Sequence, residues 1–354
     1  GTDIDIESEL YHASSVVPRP VLTVENISGY VHQKALLALE SYYNTGTPRY
    51  FKFEVSNTPI TTEPKDDIDG FVNLIFPTGA LLKDVMEASH RNRRAILYAY
   101  FRNTEDIIKH LHEIHKLKHL LEKVVFDDRV ASNEVENILK FETEQLNSAL
   151  NDTIFDSDSV VWIYNAETVQ IKSQRDLNHQ LSLICNDIYP NTPILRNELF
   201  NRHKVTSVIS AARVNLLDAI LANADQADLG FRADVFPPEK TIYYTLLQET
   251  GMHHQADDGT YYFGEPQNDN VRALWDVCCD FVAGSTEKPR KLSELINILK
   301  AAPFKLKQGV LDFWLPIFLY IKQQEFALYK DGKFILEVYF DSCNVICFQH
   351  KVTR

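Results

Sequence analysis

Arginine side chains that could bind a phosphate occur near a helix start in the middle of the chain. Arg196, Arg202 and Arg213 accompany asparagine and glutamate residues there. A guanidinium group donates two parallel N–H groups to a phosphate, so the three arginines are candidates for sensing a phosphate of DNA or of a nucleotide. The alternative is a polar-capped helix hairpin in which Arg213 pairs with an acidic residue and Glu198 pairs with Arg202.

A second basic cluster lies between Glu287 and Lys333. Nine basic and five acidic residues give this segment a charge of +4; the whole chain carries −13, so the rest carries −17. Such an acidic total excludes a protein that coats nucleic acid or anionic membrane over its whole surface, but a local basic patch remains. The residues that we predict to contact DNA phosphates are Lys288, Arg290, Lys291, Lys305, Lys307, Lys330 and Lys333.

Signatures of catalysis are missing from the sequence. The 12 glycines form no phosphate-binding loop, and no nucleophile elbow occurs. His112, His115 and His119 share one face of a predicted helix with spacing that suits a metal, but the lysines around them favour an exposed basic face. Five cysteines form no CxxC pair, which indicates reduced thiols in a cytoplasmic protein. We therefore predict no catalytic residue, metal ligand or cofactor in this chain.

Hydrophobic spacing and turn residues predict the elements that position these groups. Strands at 50–55, 70–77 and 94–101 alternate with helices, which indicates a small α/β domain. The remainder has mostly helical spacing, so we predict an α+β fold, mostly helical, with winged-helix-like units. The predicted domains are a flexible lead-in (1–20), the small α/β domain (21–126), a long helix, hairpin and helical region (127–265), and a C-terminal winged-helix-like domain (266–354). Shorter helices are predicted at 28–43, 195–201 and 207–223, among others.

The last domain has the element order of a winged helix. Helix 292–300 precedes helix 309–323, and a hairpin with an Asp-Gly turn at 331–332 follows. The second helix of such a unit often enters the major groove of DNA. Here its sequence, GVLDFWLPIFLYIKQQ, is too apolar to face bases and water, so docking of a protein partner competes with DNA contact.

The two alternatives require different exposed side chains. DNA contact requires lysines on one exposed face, namely Lys305, Lys307, Lys330 and Lys333. Partner docking through the second helix requires an exposed apolar patch of Phe313, Trp314 and Phe318. A membrane partner is not expected, because the longest apolar run, 310–321, contains a charge and a proline and has only 12 residues.

Ordered strings between residues 128 and 340 resemble a known family. They are YPNTPILRNELFNRHKVTSVISAARVNLLDAIL, LGFRADVFPPEKTIYYTLLQETGMH, LWDVCCDFV, LSELINILKAAPFKLKQGVLDFWLPIFL and FALYKDGKFI. Their order resembles the C-terminal region of the large ATPases of bacterial phage-defence systems, the phage-growth-limitation or BREX-type and related restriction ATPases. The matching positions are Tyr189-Pro190, Asn197-Glu198-Leu199, Ala211-Ala212-Arg213, Pro238-Glu239 and Tyr243. The chain departs from the pattern at Phe304-Lys305, where the family has an aromatic residue and a glycine.

The resemblance implies a non-catalytic regulatory or DNA-engaging module of an antiphage ATPase. It places the nucleotide site, with its ATP and Mg²⁺, N-terminal to this region, and it makes Arg213 similar to a nucleotide-sensing arginine of AAA+ lid domains. The implied partners are duplex DNA and other subunits of a defence complex. Because the chain begins with Gly-Thr rather than Met, we expect it to be a fragment of a longer protein.

Overall fold

The computed structural model describes residues 4–76, 78, 80–330, 333–335 and 346–350 of the chain. The described part is an α+β fold and mostly helical, as predicted. The chain divides into two compact units: unit 1 comprises residues 1–36 and 50–181, and unit 2 comprises residues 37–49 and 182–354. The segment 37–49 belongs to the second unit although it precedes most of the first in the sequence.

The bounds of the regular elements are as follows. The helices are α1 Ile6–Val16, α2 Val24–Ile27, α3 Leu39–Thr45, α4 Leu82–Arg91, α5 Glu105–Lys123, α6 Arg129–Ile154, α7 Gln174–Ile188, α8 Ser207–Asn223, α9 Pro238–Tyr243, α10 Arg272–Ala283, α11 Leu292–Lys300 and α12 Gln308–Lys322. The strands are β1 Leu36–Leu37, β2 Tyr50–Ser56, β3 Gly70–Ile75, β4 Ile96–Phe101, β5 Val160–Tyr164, β6 Glu167–Val169, β7 His253–Gln255, β8 Tyr261–Phe263, β9 Arg290–Lys291, β10 Phe326–Lys330, β11 Lys333–Ile335 and β12 Ile346–His350.

Unit 1 is built on a mixed sheet of order β1-β2-β3-β4-β5-β6. Strands β2, β3 and β4 are parallel, and β5 and β6 continue antiparallel to them. Residues directly opposite one another share a face, so Phe53, Val72 and Leu97 lie on one side of the sheet. The other side packs on α4 through Ile75, Ile96 and neighbouring apolar residues. The three predicted strands are therefore confirmed, and β5 and β6 form the hairpin predicted within 127–265.

Two predictions at the start of the chain are wrong. The flexible lead-in contains helix α1, whose Ile6 and Ala13 are buried in a cluster formed with α5 and α6. The predicted helix at 28–43 is instead a short 3₁₀ turn, strand β1 and helix α3. Helix α1 was not predicted because it buries few residues. The helix at 28–43 was predicted wrongly because the boundary between the two units lies inside it.

Unit 2 is organised around α12, whose apolar side chains are buried on all sides of the helix. Ten residues of this helix are buried, including Phe313, Trp314 and Phe318. Helix α8 contributes Ile209, Leu216 and other inward-facing residues to the same core. Predicted helix 207–223 matches α8, and helices 292–300 and 309–323 match α11 and α12. The predicted helix at 195–201 is wrong, since this segment forms turns around the buried Leu195 and Phe200.

The four-stranded sheet of unit 2 takes β9 from before α11 and its other three strands from after α12. Its strands have the order β11-β10-β12-β9, and β10 pairs antiparallel with both β11 and β12. The predicted Asp-Gly turn at 331–332 lies outside the described residues. Strands β7 and β8 form a separate antiparallel hairpin of unit 2, with Gly259 at a φ of 87°.

Close approach of two backbones fixes the start of α12. The Gly309 N–H donates to the carbonyl of Arg202 at 3.0 Å. A Cβ atom at Gly309 would lie 1.9 Å from the carbonyl oxygen of Phe200, and this neighbour is backbone, which cannot rotate away. Only glycine therefore lets α12 pack this closely on the 195–202 segment.

We predict that Gly309→Ala lowers the unfolding free energy of the protein by about 3 kcal/mol, because the methyl group forces α12 away from the Phe200 carbonyl. Denaturant titration followed by circular dichroism measures the change. The matched control is Gly264→Ala, whose added Cβ would meet nothing closer than 3.5 Å. A Gly309→Ala protein as stable as this control would contradict the close approach.

Candidate interaction site

The predicted basic residues around β9 differ in their surroundings. Lys288 and Lys291 are exposed. The Arg290 guanidinium lies over the ring of Phe281, 3.9 Å from its centroid, and its Nε donates to Glu294 at 3.3 Å. Arg290 is therefore partly engaged within the fold, whereas the two lysines present their ammonium groups to solvent.

Lys305 and Lys307 do not form the exposed lysine face that the DNA alternative requires. Lys307 is only 4% exposed, so the expectation that it lies on the surface is wrong. Lys305 is half-buried and has a φ of 41°, the left-handed conformation that glycine adopts most easily. Both residues belong to the turn before α12, and that turn packs into unit 2. Lysine spacing in the sequence cannot reveal this packing.

Of the two remaining predicted lysines, Lys333 lies on β11, the edge strand opposite β9, and Lys330 lies on the adjacent strand β10. Lys330 pairs with Lys333 across β10 and β11, and Lys291 pairs with Cys347 of β12. Three strand spacings thus separate β9 from β11, roughly 14 Å. Lys333 is exposed, and the side chain of Lys330 lies outside the described part of the chain. The basic residues are therefore divided between two sheet edges.

The second helix of the predicted winged-helix unit cannot read DNA and offers no docking patch. Phe313, Trp314 and Phe318 are fully buried, so the exposed apolar patch that partner docking through this helix requires is not present. Trp314 Nε1 donates to Cys278 Sγ at 3.4 Å, and Trp275 packs edge-on against Phe318 with the ring centroids 5.3 Å apart. This helix is the core of unit 2, so any binding surface must lie elsewhere.

Two of the three candidate phosphate-sensing arginines bind backbone carbonyls. Arg196 donates from Nε to the carbonyl of Tyr43 at 3.1 Å and from Nη2 to that of Asn44 at 2.8 Å, and so caps the end of α3. Arg202 donates to the carbonyl of Glu198, one turn earlier, at 2.7 Å. Arg202 thus contacts the backbone carbonyl of Glu198 in place of the predicted ion pair with the Glu198 carboxylate. Arg213 lies half-buried on α8 and makes no hydrogen bond or ion pair with the described residues.

Arg49 is an important arginine that spacing alone does not single out. It is fully buried in unit 2, and its guanidinium lies over the Tyr189 ring, 4.4 Å from the centroid. Nη1 donates to the Lys305 carbonyl at 2.7 Å, while Nη2 donates to the Phe304 carbonyl at 2.7 Å and to Thr192 Oγ1 at 2.9 Å. One side chain thus holds together three segments that are far apart in the sequence.

An apolar surface lies on the outer side of α8. Inward-facing Ile209, Ala212, Leu216 and Ile220 are buried, as helix spacing requires. Yet Val208, Val214 and Leu221 are 61%, 51% and 69% exposed. Helix α8 is therefore apolar on two sides, of which only one is covered by unit 2. We call Val208, Ala211, Val214 and Leu221 the outer face of α8.

Phe236 adds to the apolar surface near this helix. It is 66% exposed and lies two residues before α9 begins. Asn215 of α8 contacts Glu239 in the first turn of α9, with 3.4 Å between Nδ2 and Oε1. The exposed apolar residues thus belong to two neighbouring elements of unit 2.

A cavity of about 730 Å³ lies in unit 1, between the sheet and α6. Phe53, Leu74 and Phe101 of the sheet form its floor, and polar side chains of α6 and α7 form part of its rim. The residues that line the cavity come from segments far apart in the sequence, so no local motif predicts the cavity. The only signal in the sequence is the spacing of Thr143, Asn147 and Asn151 at every fourth residue of a predicted helix.

Metal binding and thiol chemistry find no support in the geometry. Across the described ranges, no three His, Cys, Asp or Glu side chains are grouped to hold a metal ion. His112 contacts the carbonyl of Val17 at 2.9 Å, and burial, with help from Lys118, lowers the pKa of His115. Burial raises the pKa of Cys278 to about 12, so this thiol is not a thiolate near neutral pH. No helix in the described ranges is long and apolar enough to cross a membrane.

We predict that Arg49→Lys lowers the unfolding free energy by about 2–4 kcal/mol, because an ammonium group cannot serve both carbonyls and Thr192 with the planar geometry of a guanidinium. Equilibrium unfolding in denaturant measures the loss. Arg232→Lys is the matched control: its side chain is 74% exposed, so a change within about 0.5 kcal/mol is expected. Equal stability of the two variants would show that the Arg49 contacts contribute nothing.

Comparison of the chain with models of protein families, with curated proteins and with solved structures gave no match. The resemblance to phage-defence ATPases therefore stays a prediction from the sequence.

Proposed function

We propose that this chain is a non-catalytic docking module of a bacterial antiphage-defence ATPase and works in the cytoplasm by binding another subunit of the complex. The outer face of α8 carries this proposal. A surface helix of a protein that acts alone normally exposes polar residues on its outer side. Exposed apolar surface on a folded unit is a common mark of a protein-interaction site.

A helix of the partner subunit is the occupant that we propose for this face. From Val208 to Leu221 the apolar positions follow one side of α8 over a length of roughly 20 Å. Ala211 lies among them, and a small residue there permits close approach of a second helix. Asp218 lies between Val214 and Leu221 at helix spacing, so the outer face also carries one carboxylate that can pair with a basic residue of the partner.

The burial of α12 argues against reading of DNA in the major groove and equally against docking through α12 itself, so the docking proposal rests on α8. A recognition helix must expose several side chains to base edges, and α12 has its bulky side chains in the core. A second candidate function nevertheless has a specific observation in its favour: Lys288, Lys291, Lys300 and Lys333 are exposed. These lysines would contact phosphates without reading sequence.

A salt-dependent binding assay with a labelled DNA duplex separates the two functions. Under the docking proposal we predict no saturable binding at either about 50 mM or about 200 mM salt. Binding at the lower concentration with steep loss at the higher one would contradict docking as the main role. In that case, weakening by Lys288→Glu, Lys291→Glu, Lys300→Glu and Lys333→Glu together would identify the phosphate-binding surface.

Charge substitution on α8 tests docking itself. When the chain is expressed together with the other subunits of its complex, we predict that Val214→Glu with Leu221→Glu lowers its recovery in the complex at least about ten-fold, because two carboxylates would lose water at an apolar interface. Thermal unfolding of the isolated chain should not change, since both side chains are exposed.

Val130→Glu provides the matched control for this experiment. Val130 is a 79% exposed valine on α6 of unit 1, away from α8 in the sequence. Recovery of this variant should equal that of the unchanged chain. If the α8 variant is recovered as well as the Val130 variant, the outer face of α8 is not the docking surface.

A further inference from the structure

We propose that the cavity of unit 1 binds a neutral planar base of the adenine type, as a free base or nucleoside. This site is independent of the outer face of α8, which belongs to unit 2. The cavity volume of about 730 Å³ falls within the range of small-molecule sites. Its lining also has the composition of such sites, with apolar and aromatic residues below and a few polar groups at the rim.

Aromatic and aliphatic side chains supply the surface on which a flat ring would lie. The floor is formed by Phe53 of β2, Leu74 of β3 and Phe101 of β4, and Ile154 of α6 also lines the cavity. His32 approaches the edge of this floor, with its ring 6.1 Å from the Phe53 ring and nearly perpendicular to it. Flat aromatic ligands gain much of their affinity from such contacts with ring faces and edges.

The position of the cavity in the fold is one that α/β proteins use for ligands. Leu74 and Phe101 lie at the carboxyl ends of the parallel strands β3 and β4. The sheet changes there from parallel to antiparallel pairing, because β5 runs against β4. Ligands of open α/β sheets generally bind outside the carboxyl ends of their parallel strands.

Carboxamide groups are the polar groups that can recognise the edge of the ring. Asn147 and Asn151 lie one turn apart on the side of α6 that faces the cavity, and Gln174 begins α7. None of these amides makes a hydrogen bond with another residue of the described chain, and all three are exposed. Each therefore has a donor and an acceptor available for a ligand.

Charge determines which ligands the cavity admits. None of the residues that line it is Asp, Glu, Lys or Arg. A charged group inside the cavity would lose water without gaining an opposite charge, so the bound part of the ligand must be neutral. A phosphate on a nucleotide would have to stay outside.

Hydrogen-bond geometry distinguishes adenine from guanine. A carboxamide donates to N7 of adenine while it accepts from the N6 amino group, which forms a bidentate pair. The same edge of guanine offers two acceptors, N7 and O6, and pairs best with arginine or lysine. Since the lining has amides and no cationic side chain of either kind, adenine is the better match.

Isothermal titration calorimetry with adenosine tests this proposal on the full chain. We predict saturable binding of adenosine, and we expect Asn147→Ala with Asn151→Ala to weaken it at least about ten-fold, the cost of losing a bidentate amide pair. Both positions are exposed on a helix, so alanine should not disturb folding. The matched control, Asn133→Ala, changes an exposed asparagine of the same helix outside the cavity and should leave binding unaltered.

Guanosine tests whether the cavity prefers adenine over guanine, and adenosine monophosphate tests whether the bound part of the ligand must be neutral. Guanosine should bind more weakly than adenosine, and the monophosphate should bind no more tightly than adenosine. The proposal is overturned if no nucleoside binds at millimolar concentration, or if adenosine binding survives the loss of both amides. Preference for guanosine, or much tighter binding of the monophosphate, would also overturn it.

Discussion

Burial of α12 on all sides is the constraint on which unit 2 depends. Its sequence offers no polar side to solvent, so the surrounding chain must cover the helix completely. Because residue 309 is a glycine, the 195–202 segment can pack closely against the start of α12. The buried Arg49 holds the turn before α12 by donating hydrogen bonds to the carbonyls of Phe304 and Lys305. The short segment 37–49 thereby becomes part of unit 2, although the elements of unit 1 surround it in the sequence.

The same constraint determines where binding can take place. A helix that serves as the core cannot also enter a DNA groove, so the helix, helix and hairpin order acts here as a folding unit. Binding capacity then remains on surfaces that the core does not use. Those are the outer face of α8, with exposed Val208, Val214 and Leu221, and the exposed lysines near β9 and β11. In unit 1 the cavity between sheet and α6 provides a separate place for a small ligand.

Local signals in the sequence were sufficient for many elements. Residues 207–223 became α8 as predicted, because Thr206 caps the helix and the apolar spacing is regular. The hairpin at Asn165 and Ala166 formed because both residues adopt a positive φ. The helix predicted at 195–201 does not form, because tertiary packing fixes the positions of Leu195 and Phe200. The burial of Lys307 could not be predicted from the sequence either, because its neighbours in space are distant in the sequence.

The candidate sites were less predictable than the fold. Spacing drew attention to Arg196 and Arg202, which bind backbone carbonyls. It overlooked Arg49, whose partners come from two distant segments. Cavity residues such as Phe53 and Asn147 were missed for the same reason. A pattern along one element reveals which side is apolar, but it does not reveal which other element covers that side.

Amide hydrogen exchange along α12, with and without duplex DNA, tests the central claim most directly. If α12 is the core of unit 2, its amides exchange among the slowest in the chain, and added duplex leaves their rates unchanged. Fast exchange along α12, or new protection there when DNA is added, would contradict this account and would restore α12 as a helix that reads DNA.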